Sequence, residues 1–107
     1  MRIDIKPLSV NQAWKGKRYK TDKYKKYERI CLLLLPKLDV PKEGKLKIEL
    51  VFGFSSKSSD WDNPIKSFQD IAQKKYGFND SRIYKATVEK VDVAKGKEFI
   101  EFSITKL

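Results

Sequence analysis

Lys45-Leu46-Lys47-Ile48-Glu49-Leu50-Val51-Phe52-Gly53-Phe54 is the stretch on which the fold turns. Leu46, Ile48, Leu50, Phe52 and Phe54 occupy alternate positions, so an extended backbone places them on one face and Lys47 and Glu49 on the other. The pattern predicts a long strand with one buried face. Upstream, Lys37 to Gly44 reads as a linker carrying Pro41 and Gly44. Before it, Tyr24, Tyr27, Cys31, Leu34 and Leu35 recur at three- and four-residue steps. They predict an amphipathic helix with Thr21 as N-cap and Asp22 in its first turn, ending before Pro36. Ser9 to Lys20 has no periodicity and reads as a loop. Arg2 to Lys6 alternates, with Ile3 and Ile5 on one face, and Pro7 closes a short first strand.

Downstream, polar Ser55 to Ser59 leads into a second helix capped by Asp62 or Asn63, with Pro64 near its first position. Ile65, Phe68, Ile71 and Ala72 form its apolar stripe and Gly77 closes it. Two more strands, about 83–93 and 98–105, are joined by Ala94-Lys95-Gly96-Lys97, a spacing that suits a hairpin. The expected fold is a small two-layer α/β domain of the α+β kind over residues 1–107. Its elements run strand, helix, strand, helix, strand, strand around a mixed sheet.

Composition prunes the function classes. The chain has 107 residues, enough for one modest core, and dimerisation would enlarge its buried surface. The longest apolar run, Ile30 to Leu35, is far short of a membrane span, and no signal peptide is visible, so a cytoplasmic protein is expected. The single cysteine, Cys31, excludes an internal disulfide and sits in an apolar stretch that suggests a buried thiol. With no histidine, serine–histidine triads, HExxH zinc sites and imidazole bases are excluded. No Gly-rich phosphate loop is present, so no nucleotide cofactor is expected. Oxygen-ligated metal chemistry survives.

The formal net charge of +10 is unevenly spread. Between residues 15 and 29, Lys15, Lys17, Arg18, Lys20, Lys23, Lys25, Lys26 and Arg29 stand against only Asp22 and Glu28. Trp14, Tyr19, Tyr24 and Tyr27 are interleaved with them. This composition suits a phosphate-contacting surface with aromatic stacking, the plainer alternative being a solvated helix face.

Against that basic background, Asp60-Trp61-Asp62-Asn63-Pro64-Ile65-Lys66 and, further on, Asp80 gather carboxylates and one ammonium. Like charges brought together repel unless a cation sits among them, and carboxylate oxygens suit Mg²⁺, with Mn²⁺ as a substitute. If the backbone is extended at Asp60 and Asp62, both carboxylates project to one side. Lys66, four residues after Asp62, returns to the same helix face. A helix folding back on the sheet would bring Asp80 near them. Asp60, Asp62 and Asp80 are thus candidate Mg²⁺ ligands for phosphodiester hydrolysis, and Lys66 is the candidate for stabilising charge on the phosphate. Asp70 is placed to pair with Lys66. The plainer alternatives are a helix cap at Asp62, an exposed i,i+4 pair at Lys66–Asp70, and a turn residue at Asp80.

Asp60-x-Asp62-Asn63-x-x-Lys66, then Phe68-x-Asp70, then Phe78-Asn79-Asp80-x-x-Ile83, resembles the RusA-type Holliday junction resolvases. Pro7-x-Ser9-x-Asn11 with Trp14, and Lys95-Gly96 before the closing strand, are similar to that family too. The resemblance implies a Mg²⁺-dependent, dimeric endonuclease of mixed α/β fold that cuts four-way DNA junctions by paired symmetric nicks. It implies that Asp60, Asp62 and Asp80 are the metal-binding aspartates, Lys66 the catalytic lysine, and Asp70 and Asn63 supporting positions. The implied DNA contacts are Asn11, Trp14, Lys15, Lys17, Arg18, Lys20, Lys23 and Lys97. One departure is Asn79, where the family commonly has an aspartate before the one matched by Asp80. The two-fold symmetry of a four-way junction independently calls for two opposed active sites, hence a C2 dimer. The alternatives are a non-catalytic nucleic-acid-binding module and a metal-dependent nuclease for other branched nucleic acids. Such a compact chain would suit a phage or prophage recombination gene, acting in the nucleoid.

Overall fold

A computed structural model describes residues 1–8, 14–15 and 19–107, with the side chains at 14, 15, 19 and 20 left aside. The alternating stretch forms β4 (Leu46–Phe54). The earlier strands are β1 (Arg2–Ile3), β2 (Trp14–Lys15) and β3 (Tyr19–Lys20), and α1 (Asp22–Leu34) follows them. After β4 come α2 (Ile65–Tyr76), a 3-10 turn (Asp80–Arg82), β5 (Ile83–Asp92) and β6 (Phe99–Lys106). The short β2 and β3 pair antiparallel, so the segment expected to be a loop contains a small ribbon.

The main sheet has the order β1-β6-β4-β5. A helix returning from the end of one strand to the start of the next makes the two strands parallel, and β4 and β5 are parallel, joined by α2. β6 lies antiparallel on the other edge of β4, with Leu50 opposite Phe102 and Phe52 opposite Ile100. The expected β5–β6 hairpin therefore does not form. The 93–98 connection instead crosses the end of β4, where the Val93 N–H donates to the Phe54 carbonyl at 2.9 Å. Six residues easily span the roughly 10 Å across two strand spacings.

Both helices cover one face of the sheet. Leu46, Ile48, Leu50 and Phe52 of β4 and Ile100, Phe102 and Ile104 of β6 are buried against Tyr24, Tyr27 and Cys31 of α1 and Phe68, Ile71 and Ala72 of α2. Phe68 packs on Phe102 with ring centroids 5.4 Å apart. Thr21 caps α1 as expected, its hydroxyl accepting from the Tyr24 N–H at 3.1 Å. Leu35 rather than Leu34 completes the α1 stripe: Leu34, the last helical residue, is 44% exposed. Gly77 ends α2 in the left-handed region at φ 70°, its N–H donating to the Gln73 carbonyl. The start of α2 differs from expectation. Pro64 is the N-cap and no side chain caps it, so neither Asp62 nor Asn63 is used there.

Candidate active site

The candidate residues belong to the β4–α2–β5 unit. Asp60 and Asp62 lie in the connection leaving β4, which bends at Trp61–Asp62 and turns at Asn63–Pro64 rather than continuing the strand. Asp60 and Asp62 are exposed, as is Trp61 at 56%. Asn63 Nδ2 donates to Asp60 Oδ2 at 3.2 Å, which fixes that carboxylate through a neutral amide. The Asp62 carbonyl accepts from the Ile65 N–H at 3.2 Å, while its carboxylate makes no side-chain hydrogen bond among the described residues.

One side of α2 carries Lys66, Gln69, Asp70 and Gln73, spaced so that they share a face. Lys66 Nζ meets Asp70 Oδ1 at 3.0 Å. The same oxygen accepts from Gln73 Nε2 at 3.4 Å. Gln73 Oε1 accepts the backbone N–H of Asp80 at 3.0 Å, and Gln69 Nε2 donates to Asp80 Oδ2 at 3.3 Å. A hydrogen-bonded seam thus runs from the lysine to the third aspartate. The sequence signals Gln69 and Gln73 only through their spacing, three and seven residues after Lys66, which places them on its face.

Asp80 begins the 3-10 turn at the start of β5, the end of the sheet opposite the β4–α2 connection. The parallel crossover therefore holds it against the middle of α2 rather than at the helix start. Among the described residues no three acidic, histidine or cysteine side chains gather closely enough to hold a metal ion. Nor does Asp60, Asp62 or Asp80 have an ion-pair partner among them. Asn79 Oδ1 accepts from the Ser81 N–H at 2.8 Å and so caps the turn. An aspartate oxygen could do the same, which explains why the departure at this position leaves the turn intact.

Beside Asp60 opens a cleft of about 380 Å³, lined among others by Lys6, Ser55, Ser56, Ser59 and Glu98. Glu98 ties the strand crossover to the acidic loop: Ser55 Oγ donates to Oε2 at 2.8 Å and the Gly96 N–H to Oε1 at 2.9 Å. Hydrogen bonds from its own backbone N–H and then from Ser55 hold the Glu98 carboxyl below its ordinary range. Lys90 of β5 also reaches the loop, donating to the carbonyls of Lys57 and Ser59.

Of the expected DNA contacts, Lys23 lies exposed on the first turn of α1 and Lys97 on the strand crossover. Trp14 and Lys15 are on β2 and Lys20 is on β3, with their side chains outside the described set. Asn11, Lys17 and Arg18 lie outside the described residues. No helix among the described residues is long and apolar enough to cross a membrane.

Compared with protein-family models, the chain matches the one described as endodeoxyribonuclease RusA over residues 5–103. Comparison with curated proteins gives no match.

Proposed function

This chain belongs to the RusA endodeoxyribonuclease family, an endonuclease family that resolves Holliday junctions, and on that premise we propose that it makes paired, Mg²⁺-dependent nicks in four-way DNA. The observation that carries the metal dependence is how the carboxylates are held. Asp60 and Asp80 are oriented by neutral amides and Asp62 by no side chain among the described residues, so their charge is left for a cation. All the donors are oxygens, which suits a hard divalent ion. Mg²⁺ uses one or two carboxylates and fills the rest of its shell with water and phosphate, so three gathered side chains are not required in advance. Asp60, Asp62 and Asp80 are the residues that would hold it. When bound, the ion supplies Lewis-acid stabilisation of the scissile phosphate and a more acidic water.

The chain's own groups do the remaining work. Lys66 is exposed, and its surface pair with Asp70 is worth only about 0.3–0.5 kcal/mol. It can therefore turn to the phosphate oxygens as negative charge builds there. Asp70, itself held by Gln73, keeps that ammonium aimed along α2 until then. Lys23 and the neighbouring lysines of α1 carry phosphate contact, with the basic 15–20 segment beside them in sequence. A homodimer supplies the second site that a two-fold junction needs. Its place of work would be the DNA of the cytoplasm, in a host or phage recombination pathway.

The test is cleavage of a labelled four-way junction beside a linear duplex, in Mg²⁺ and in EDTA, by wild type, Asp62→Asn and Lys66→Ala. Symmetric nicks in the junction alone, lost in EDTA and in both variants while junction binding persists, are expected. Wild-type rates from either variant, or cleavage in EDTA, would overturn the role assignment. Sedimentation with and without DNA checks the dimer, and a strictly monomeric mass counts against it.

A further inference from the structure

Lys90 has no part in the scheme above, yet it touches the loop that carries Asp60 and Asp62. It lies on β5 opposite Phe52, in register with Val88 and Ala86 on the helix-covered side of the sheet. Instead of pairing with a carboxylate, its Nζ donates to two backbone carbonyls, Lys57 at 2.8 Å and Ser59 at 2.5 Å. The Ser59 carbonyl belongs to the peptide that leads directly into Asp60. The loop's other bonds are of a different kind. Ser59 N–H to Ser56 and the Ser56–Ser58 hydroxyl contact are internal and set its shape, while Ser55–Glu98 anchors its beginning. Among the described residues, Lys90 is what ties the later part of the loop to the sheet.

We propose that Lys90 is a positioning residue: its ammonium, presented from the neighbouring parallel strand, fixes the backbone that sets Asp60 and Asp62 for metal binding. The proposal rests on the metal-dependent endonuclease reading. A single ammonium satisfying two carbonyls defines where a glycine-free, serine-rich stretch sits, and it does so without neutralising either aspartate. A lysine on an edge strand also blunts unwanted strand pairing, a duty that needs only the charge and no bond to the loop. The two roles separate experimentally.

The chain has two tryptophans, so a Trp14→Phe background leaves Trp61, between the two aspartates, as the only fluorophore of its kind. In that background Lys90→Met and Lys90→Arg would be compared with Lys90 by time-resolved anisotropy, and with Trp14 retained by thermal midpoint, junction binding in EDTA and the Mg²⁺ concentration for half-maximal cleavage. Lys90→Met should loosen Trp61 and raise the Mg²⁺ requirement about tenfold, the low end of what losing an outer support of a metal site costs. Junction binding in EDTA should be unchanged. Lys90→Arg, which can also donate to two carbonyls, should restore both properties. Unchanged anisotropy in Lys90→Met, or no recovery in Lys90→Arg, would overturn the proposal. Lys90→Gln, too short to span both carbonyls, gives the same comparison should Lys90→Met fail to fold. If the wild-type protein does not cut junctions, the endonuclease reading fails, while the anisotropy still decides what Lys90 does.

Discussion

Gly53→Ala adds one methyl group to the middle of the sheet and should cost more than its size suggests. Gly53 faces Phe99 across the β4–β6 ladder, on the side of the sheet away from the helices. A Cβ at this position would fall 2.5 Å from Phe99 Cδ1 and Cε1 and 3.2 Å from Cγ. Carbon atoms rest at about 3.5–4.0 Å, so the ring would have to retreat by roughly 1 Å. It has little freedom to do so: Phe99 is only 7% exposed, and the Arg2 guanidinium stacks 3.9 Å from its centroid. Overpacking of this kind costs about 1–3 kcal/mol, and weakening the cation–π contact adds about 0.5–1 kcal/mol. Replacing glycine in a strand returns about 0.5–1 kcal/mol through the unfolded state, leaving a net loss of about 1–3 kcal/mol. For a chain of this size each kilocalorie moves the melting temperature by roughly 4–8 °C. Differential scanning calorimetry of Gly53→Ala, Phe99→Leu and the double variant tests this. The double variant should be more stable than the sum of the two losses, because leucine vacates the space that the methyl needs. A Gly53→Ala protein as stable as wild type would refute the reasoning, since it would mean that the ring swings freely into solvent.

Burial raises the Cys31 thiol from 9.0 to about 12 and pushes the neighbouring Tyr27 hydroxyl upward as well. Between those values the unfolded chain releases the thiol proton and the folded chain keeps it, so stability is untouched below about pH 9 and falls above it, by at most about 1.4 kcal/mol per pH unit from this group. Urea midpoints should show that decline from about pH 9, and Cys31→Ala should lessen it between about pH 9 and 10, above which the raised Tyr24 and Tyr27 hydroxyls add their own decline; a wild-type profile level through this range would contradict the assignment. Gln69→Lys keeps a donor beside Asp80 but makes it cationic, so the melting temperature should hold while the Mg²⁺ requirement for cleavage rises about tenfold. An unchanged requirement would show that Asp80 lies outside the metal's reach.

The elements were legible wherever the signal is local. β4 was readable because a period of two runs unbroken from Leu46 to Phe54, and α2 because Phe68, Ile71 and Ala72 keep helical spacing up to a glycine that alone tolerates the closing φ. The Lys66–Asp70 pair was readable for the same reason, as a four-residue step on a helix. The β5–β6 relationship was not. Ala94-Lys95-Gly96-Lys97 has the composition of a turn, but nothing in those residues records that β4 lies between the strands they join. That fact depends on α2 forcing β4 and β5 parallel, which leaves the far edge of β4 for β6. The contacts of Asp80 depend on the same non-local geometry: its position in the chain is close to the helix end, whereas its carboxylate meets Gln69, in the second turn. The family-like motif identified the acidic residues without saying what holds them, because Lys90 and Glu98 act across the sheet and carry no fixed spacing to Asp60.

Among the described residues the side-chain donors to Asp60 and Asp80 are neutral amides, which supports the metal site proposed there. A carboxylate that serves the fold can be satisfied by lysine or arginine, as in Arg2–Glu101 and Lys47–Glu49, or by neutral donors, as at Glu98. Among the described residues the lysine or arginine solution is not repeated at Asp60, Asp62 or Asp80. Instead Asn63 and Gln69 orient Asp60 and Asp80 through neutral N–H groups, and the nearest lysine of the seam is occupied by Asp70. Lys90 spends its charge on backbone carbonyls. Each arrangement fixes geometry, and none of these aspartates has an ion-pair partner among the described residues. Such a surface repels DNA phosphate on its own and accepts it once a divalent cation lies between them. On the proposed metal-dependent reading, metal and substrate should bind with positive coupling, each supplying oxygens or charge that the other lacks, and the acidic loop of this otherwise basic protein should engage DNA only with the ion bound.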